Sequence, residues 1–305
     1  MPVSQTSPRI LAFGDNVVDC YRDQRRMFPG GNCVNHAVFA RRFGAETAYA
    51  GAVSNDDAGR AIRDAFLAEG VETSLLRFLP GQTAYCVIAT ESGERVFIGA
   101  NLGVSIIAPS PADLAWMKTA DAVHTGRSSH VDAWLAHLAT LTRVSYDFAT
   151  IHDEERISGI APYCFLAGFS GGDLSRDEAL CLAGRALKHG AEWAVITRGD
   201  KGALLAGPDG TYEASALLVK PVDTLGAGDT FIARTLVGLL RRETPEEILR
   251  DATEAAAETC LSPGAFGHGV PMEVDLSTML TIDEIYATTR PVPGPETKQV
   301  AAWEI

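Results

Sequence analysis

Asp223-Thr224-Leu225-Gly226-Ala227-Gly228-Asp229-Thr230-Phe231 decides the reading of this chain: a glycine-rich turn runs into an amphipathic helix, with a carboxylate at the junction. The helix follows from Ile232, Thr235, Leu236, Leu239 and Leu240, whose i, i+3, i+4, i+7, i+8 spacing gives one buried stripe. Its amino end falls near Gly226 to Asp229. Without Cβ groups at Gly226 and Gly228, a ligand can approach the main chain, so first-turn N–H groups converge on an oxyanion and the helix dipole adds partial positive charge. A phosphate suits such a pocket. Asp229 does not suit a pure phosphate cradle, because an anion there repels the ligand unless it has chemical work to do. Taking a proton from an attacking hydroxyl is such work. The plainer reading of the same residues is a helix capped by Asp229 or Thr230 after a glycine turn.

The frame around this turn is that of a globular α/β chain. At 305 residues and 46% hydrophobic, the chain can bury a large core as one domain with a small appendage, or as two modest domains. Its net charge of −13 argues against a nucleic-acid or anionic-membrane partner, which would be held by clustered Lys and Arg. The dense basic spots, Arg25-Arg26, Arg41-Arg42 and Arg241-Arg242, read as solvated faces. Met1 to Ile10 carries no charged segment followed by an apolar run, and no stretch approaches a membrane span, so a soluble cytoplasmic protein is the expectation. The cysteines, Cys20, Cys33, Cys86, Cys164, Cys181 and Cys260, include no C-x-x-C pair and imply neither disulfides nor zinc. The histidines show no metal-ligand spacing and read as surface or structural residues.

Along the chain, strands alternate with helical stripes. Strands are expected at Arg9 to Phe13, Thr47 to Val53, Asp121 to His124, Val144 to Phe148, Tyr163 to Ala167 and Trp193 to Thr197. Helices are expected at Val34 to Phe43, over Ala58 to Phe66, over Trp134 to Leu141, over Ala179 to Leu187, and from Ile248 to a stop at Ser262-Pro263-Gly264. Tyr85 to Ala89 and Arg95 to Ile98, split by Glu91-Ser92-Gly93-Glu94, read as a hairpin. Such alternation predicts a mostly parallel sheet covered by helices on both faces, with ligands at the carboxyl ends of its strands. Neither G-x-x-x-x-G-K-[ST] nor G-x-G-x-x-G occurs, which argues against a P-loop NTPase and a dinucleotide-binding enzyme.

Two signatures now carry a resemblance. Asp223 to Asp229 resembles the carboxy-terminal signature of the ribokinase-like (PfkB-type) carbohydrate kinases. Gly30-Gly31-Asn32-Cys33-Val34-Asn35, with the helix running to Phe43-Gly44, resembles their amino-terminal one. The similarity runs from about Ile10 to Gly269 and, within the family, is nearest to the bacterial fructoselysine 6-kinases. Gly14 to Tyr21, Arg95-Val96-Phe97, Asp121 to His124, Asp147-Phe148 and His268 suggest that subgroup. The resemblance implies a three-layer α/β/α sandwich over residues 8–269, with a small β lid from segments at about 15–30 and 84–103.

It also implies roles. Asp229 would be the general base toward a sugar's primary hydroxyl, and the main-chain N–H groups of Gly226, Ala227 and Gly228 the anion hole for the transferred phosphoryl. Asp15, Gly31 and Asn35 would line the sugar site, where carboxylate and amide make paired hydrogen bonds to hydroxyls. Asp19 is either a further sugar contact or a half-exposed lid carboxylate. Thr197-Arg198-Gly199-Asp200-Lys201-Gly202 resembles the family's T-x-G-x-x-G turn, placing Thr197, Gly199 and Gly202 at ATP, with Thr253 and Gly264-Ala265 near adenine. Standing alone, that turn is ordinary strand-to-strand punctuation. Many relatives have Asn where Thr253 stands.

One departure concerns Mg2+. The family's N-x-x-E motif is replaced by Ala167-Gly168-Phe169-Ser170-Gly171-Gly172-Asp173, so the metal ligands stay unassigned; Asp173 and Glu178 are either substitutes or surface acids at a helix start. Some relatives also bind a monovalent cation near the position of Asp223. The lid implies water exclusion and a homodimer in which strand edges are covered.

For the substrate, the resemblance implies a fructosamine phosphorylated at its 6-hydroxyl. Arg127 would pair with the amino acid's carboxylate and Asp147 with its amine; equally, Arg127 is a solvated loop residue and Asp147 a loop cap. Val270 to Ile305 lies beyond the resemblance: Pro291, Pro293 and Pro295 suggest an extended tail, while Leu276, Met279, Leu280, Ile282, Ile285 and Tyr286 can dock as one short helix. A kinase for a plain ketohexose, ribose or nucleoside, and a catalytically silent sensor, are the competing readings.

Overall fold

The computed structural model describes residues 7–91 and 94–295. Its strands are β1 (Arg9–Phe13), β2 (Val17–Tyr21), β3 (Arg26–Gly30), β4 (Glu46–Val53), β5 (Leu76–Phe78), β6 (Tyr85–Glu91) and β7 (Glu94–Asn101), followed by β8 (Ala122–Gly126), β9 (Arg143–Asp147), β10 (Leu166–Ser170), β11 (Trp193–Thr197), β12 (Ala203–Gly207), β13 (Gly210–Ala214) and β14 (Val270–Pro271). Helices α1 (Asn32–Arg42), α2 (Asp57–Glu69), α3 (Pro111–Met117), α4 (Leu135–Leu138), α5 (Glu154–Ile160), α6 (Arg176–Lys188), α7 (Ala227–Arg241), α8 (Pro245–Thr259) and α9 (Ile282–Thr288) lie between and after them.

The central sheet runs β13-β12-β11-β10-β9-β8-β1-β4-β5, parallel except for the β11-β12-β13 edge. Side chains alternate across it, as a sheet covered on both faces requires. In β1, Ile10 and Ala12 join a core with α1, α2, α7 and α8, while Leu11 and Phe13 join the opposite core with α4, α5 and α6. The three-layer sandwich expected from the sequence is therefore present.

A second, smaller sheet forms the lid, in the order β14-β3-β2-β6-β7. It is antiparallel except for the β2–β6 pair. Tyr21, Phe28 and Ile88 make a small apolar cluster on it, against which Leu225 of the glycine turn packs. The Tyr21 hydroxyl also donates to the Asp223 carboxylate, which ties the lid to the start of that turn. The expected hairpin is β6–β7; residues 92 and 93 of its turn lie outside the described residues.

Local chemistry moved several expected boundaries. Instead of one helix over Trp134 to Leu141 there is a 3-10 turn at Asp132–Trp134 and the single turn α4. Thr140 ends it by turning its hydroxyl back on the His137 carbonyl at 2.7 Å. The strand expected at Tyr163 begins at Leu166, because Ala161–Tyr163, with Pro162, closes a 3-10 turn first. Asp19 is 4% exposed and packs against Gly30, so it is no half-exposed lid carboxylate. Two short helices escaped periodicity: α3 starts with a Ser110–Asp113 capping box and Pro111, and α5 is capped by Asp153.

Beyond Gly269 the chain docks as a strap. β14 pairs with the outer edge of β3, and Leu280 exchanges two backbone hydrogen bonds of 2.9 Å with Ala100 of β7. The one short helix expected over Leu276 to Tyr286 is split into a 3-10 turn at Leu276–Thr278 and α9, which opens with a Thr281–Glu284 capping box. The strap then crosses to the body, where Val292 is 6% exposed and donates its N–H to the His130 carbonyl at 2.9 Å. The Trp134 indole N–H donates to the Pro293 carbonyl at 2.7 Å. Residues 296–305 of the expected tail lie outside the described residues.

Burying Val292 contributes about 2 kcal/mol by transfer alone, and an aspartate there would bury an unpaired charge. Val292→Asp is expected to lower the thermal midpoint by several degrees, measured by calorimetry, and to speed proteolysis of the strap. An unchanged midpoint would show that the strap does not contribute to stability.

Candidate active site

The sheet order changes direction between β1 and β8: from β1 the chain builds one side through β4 and β5, then returns to lay β8 on the other. Loops leaving the carboxyl ends of such a pair diverge and open a crevice. Asp15, just after β1, spans that crevice. Its N–H donates to Ser129 Oγ at 3.1 Å, and Ser129 Oγ donates back to Asp15 Oδ1 at 3.0 Å, from the turn after β8. Asp15 is 5% exposed, and its Oδ2 accepts the Asn32 backbone N–H at 2.9 Å.

That N–H belongs to the first turn of α1, where no intrahelical acceptor exists. Gly31 caps the helix with φ of 102°, and a Cβ there would lie 2.9 Å from Asn16 Cα and 3.1 Å from Asp15 Oδ2. A residue with a side chain would thus push α1 off the carboxylate it caps.

Opposite lies the amino end of α7. Gly226 is its N-cap in the left-handed region, at φ of 79°, and a Cβ there would fall 2.3 Å from that of Ala265. The first helical bond runs from Thr230 N–H to the Gly226 carbonyl at 2.8 Å. Ala227, Gly228 and Asp229 form the first turn. Asp229 is half-buried; its Oδ1 accepts from Asn32 Nδ2 at 2.9 Å and its Oδ2 from Asn35 Nδ2 at 2.6 Å. Asn32 Nδ2 also donates to Asp147 Oδ2 at 2.8 Å, while the other oxygen of Asp147 accepts the Ala149 N–H at 2.8 Å.

Three carboxylates therefore share one crevice. Burial pushes Asp147 up to about 7, with the Asp229 and Asp15 charges adding to it against the Ala149 N–H. Burial also raises Asp229, opposed by its hydrogen bonds from Asn35 and Asn32. A carboxylate raised this way is a stronger proton acceptor than a surface aspartate.

The other sequence candidates surround this cluster. Thr197 ends β11 with its hydroxyl on the Phe169 carbonyl at 3.3 Å, and it is the sole neighbour a Cβ on Gly228 would meet, at 3.9 Å, among the described residues. The surface over Gly228 is thus open, whereas Gly226 is glycine because it packs against Ala265. Gly199 begins the 3-10 turn that follows β11, and Gly202 ends it against the Ala214 carbonyl. Thr253 is half-buried within α8. Gly264 lies under the Phe28 ring and donates its N–H to Asp223 Oδ2 at 3.0 Å. Arg127 is half-buried on the turn after β8 that also carries Ser129.

Neither substitute for the missing metal motif fits that part. Asp173 is exposed, and Glu178 closes a capping box with Ser175 through a 2.8 Å bond. Among the described residues no group of three or more His, Cys, Asp or Glu side chains is placed to hold a metal ion. Asp223 is surrounded by donors, the N–H groups of Leu225 and Gly264 and the Tyr21 hydroxyl, a setting that suits a structural carboxylate better than a cation ligand. Sequence reasoning missed Asn32 and Ser129. Asn32 sat inside the amino-terminal signature, where its position in the first turn was the available signal; nothing marked Ser129.

The pfkB family carbohydrate kinase pattern matches residues 7–269 of this chain. The fructosamine kinase FrlD of Bacillus subtilis is 36% identical over 272 residues, covering 88% of this chain and 96% of that relative. The fructoselysine 6-kinase of Escherichia coli is 29% identical, covering 84% and 99%. Among solved structures, the ribokinase of Arabidopsis thaliana complexed with ribose and ATP superposes with a TM-score of 0.74 at 20% identity, covering 86% of this chain and 96% of that one. No helix among the described residues is long and apolar enough to cross a membrane. With its glycine turn, its aspartate at the amino end of α7 and its β lid in place, this chain belongs to the pfkB family of carbohydrate kinases.

Proposed function

We propose that this protein transfers the γ-phosphoryl group of ATP to the primary 6-hydroxyl of a fructosamine such as fructoselysine. The observation that carries the reading is the Asp229 carboxylate, held by Asn32 and Asn35 at the mouth of a glycine turn that is open over Gly228. Asp229 takes the proton of the attacking hydroxyl as its oxygen bonds to phosphorus and the bond to the ADP oxygen breaks. The N–H groups of Gly226, Ala227 and Gly228 offset the charge on the phosphoryl oxygens. Thr197, Gly199, Gly202, Thr253 and Gly264 form the ATP side. Mg2+ would arrive held by the nucleotide's phosphates, since the described residues offer no cage for it. Such chemistry, fed by ATP, fits a cytoplasmic enzyme.

Asp15, Gly31 and Asn35 line the sugar subsite in this reading. The fructosamine assignment is supported by the relatives' names and by the crowding of Asp15, Asp147 and Asp229, which favours a substrate carrying a positive charge. Asp147 meets the substrate's ammonium and Arg127 its carboxylate. A homodimer through the lid would use the part of β7 where Val96 and Phe97 are exposed, since the strap pairs with Arg26 and Met27 of β3 and with Ala100 of β7.

Asp229→Ala is expected to lower kcat by about a thousandfold on whichever of fructoselysine, fructose, ribose and nucleosides the protein phosphorylates; full activity would remove the base from the mechanism. Turnover confined to plain sugars or nucleosides would keep the kinase and discard the fructosamine.

Arg127→Ala should lower kcat/KM on fructoselysine by about tenfold or more and far less on fructose; equal losses would sink the carboxylate contact. Because Asp147 ionises only as pH rises through about 7, the free enzyme should show an added acid limb near that pH with fructoselysine. Fructose, which has no ammonium, should lack that limb.

A further inference from the structure

Asn32 touches all three carboxylates of the site, Asp15 through its backbone and Asp147 and Asp229 through its amide. Bridging two carboxylates uses both amide hydrogens, so Nδ2 must face them and Oδ1 must face away. Oδ1 lies 3.0 Å from Nε2 of His124, a wholly buried residue of β8. An amide oxygen only accepts, so His124 carries its proton on Nε2. Its Nδ1, 2.9 Å from Ser145 Oγ on β9, must then accept from that hydroxyl. The chain of donors has one direction: Ser145 to His124, His124 to Asn32, Asn32 to Asp147 and Asp229.

His36 of α1 fixes the plane of this relay. Its ring stacks on that of His124 with centroids 3.6 Å apart and planes 7° from parallel. Among the described residues neither of its ring nitrogens has a hydrogen-bond partner. Burial pushes His36 down to about 3 and holds His124 well below the usual histidine range, with His36 adding to the effect on His124. Burial thus favours the neutral form of both rings. Among the described residues, the other titratable groups that act on Asp229 and Asp147 are each other and Asp15 after β1.

We propose that His124 is a positioning residue for the reaction: its Nε2–H orients the Asn32 amide onto Asp147 and Asp229, and Ser145 fixes the tautomer that allows it. The inference rests on Asp229 acting as the base. Without the His124 N–H, the Asn32 oxygen is buried with no donor and the amide turns out of the carboxylate bridge. Asp229 then loses a hydrogen bond that favours its ionised form, so it ionises at higher pH.

The test is the pH dependence of kcat/KM on the sugar the wild-type protein turns over, together with the titration of isotope-labelled aspartate carboxyls by NMR, which needs no turnover. His124→Phe keeps the stacked ring and removes the N–H. Its acid limb and the Asp229 titration should both move up by about one pH unit, a roughly tenfold loss of kcat/KM below the limb. His124→Gln, which can return an N–H to Asn32, should move them back toward wild type. Ser145→Ala lies two hydrogen bonds from Asn32 and leaves little void; it should shift both in the same direction by less. Should His124→Phe fail to fold, Ser145→Ala decides. Wild-type limbs and titrations in His124→Phe, or in Ser145→Ala where that variant decides, would overturn the role of His124. Asp229→Asn run alongside separates the two readings: retained turnover overturns the base itself, whereas an inactive Asp229→Asn together with unshifted limbs in His124→Phe and Ser145→Ala overturns the relay alone.

Discussion

Like charges do not gather unaided, and the structure is arranged around holding three carboxylates in one crevice. Asp15, Asp147 and Asp229 come from three segments far apart in the chain, and burial makes their mutual repulsion stronger than it would be in water. What offsets it is the first turn of α1. Helical geometry leaves its N–H groups without partners, and one of them reaches Asp15 while the Asn32 and Asn35 amides reach the other two. Remove that turn and the carboxylates must protonate or separate, and the site disappears with them.

The sheet supplies the address. Asp15 and Ser129 face each other because β1 and β8 are neighbours whose chains depart in opposite senses, and Asp147 follows from β9 next door. The α7 turn meets them because α1 packs along α7 on the same face of the sheet. The lid closes the remaining side with an apolar cluster and one polar tie, Tyr21 to Asp223, which sets the entrance of the glycine turn against a strand of the lid. Position in the fold and chemistry of the site are here a single matter.

Much of this was legible in the sequence. Gly226, Gly228 and Asp229 were readable because they govern local backbone shape at a helix start, and short spacing encodes that; Gly31 and Asn35 were named only through the resemblance of the amino-terminal signature. The layers were readable because long strands and helices alternate with clean periods. Asn32, His124, Ser145 and Ser129 were not readable as a set, because their contacts close over long distances: Asn32 and Asp229 are 197 residues apart. A histidine in an apolar strand gives no sign of which amide it will face. The seven-residue helices α3 and α5 are too short for a 3.6 period to rise above composition, and only their capping residues announce them. The strap was opaque for a different reason, since at β3 and β7 it pairs with backbone edges, which carry no side-chain signal.

That strap sets an order on the making of the protein. β3 is finished within the first tenth of the chain, yet the strand beside it, β14, is residues 270 and 271. A ribosome delivering the chain from its amino end must expose the whole kinase fold before the lid's outer strand exists, so β3 and β7 wait as open edges while nearly everything else is already able to fold. Four lid strands, the glycine turn and the carboxylates are all made before β14; only the lid's outer strand and the strap come after them. A nascent chain of this protein passes through a stage in which the outer edges of the lid are open, and that window closes once residues 270–280 have cleared the exit tunnel.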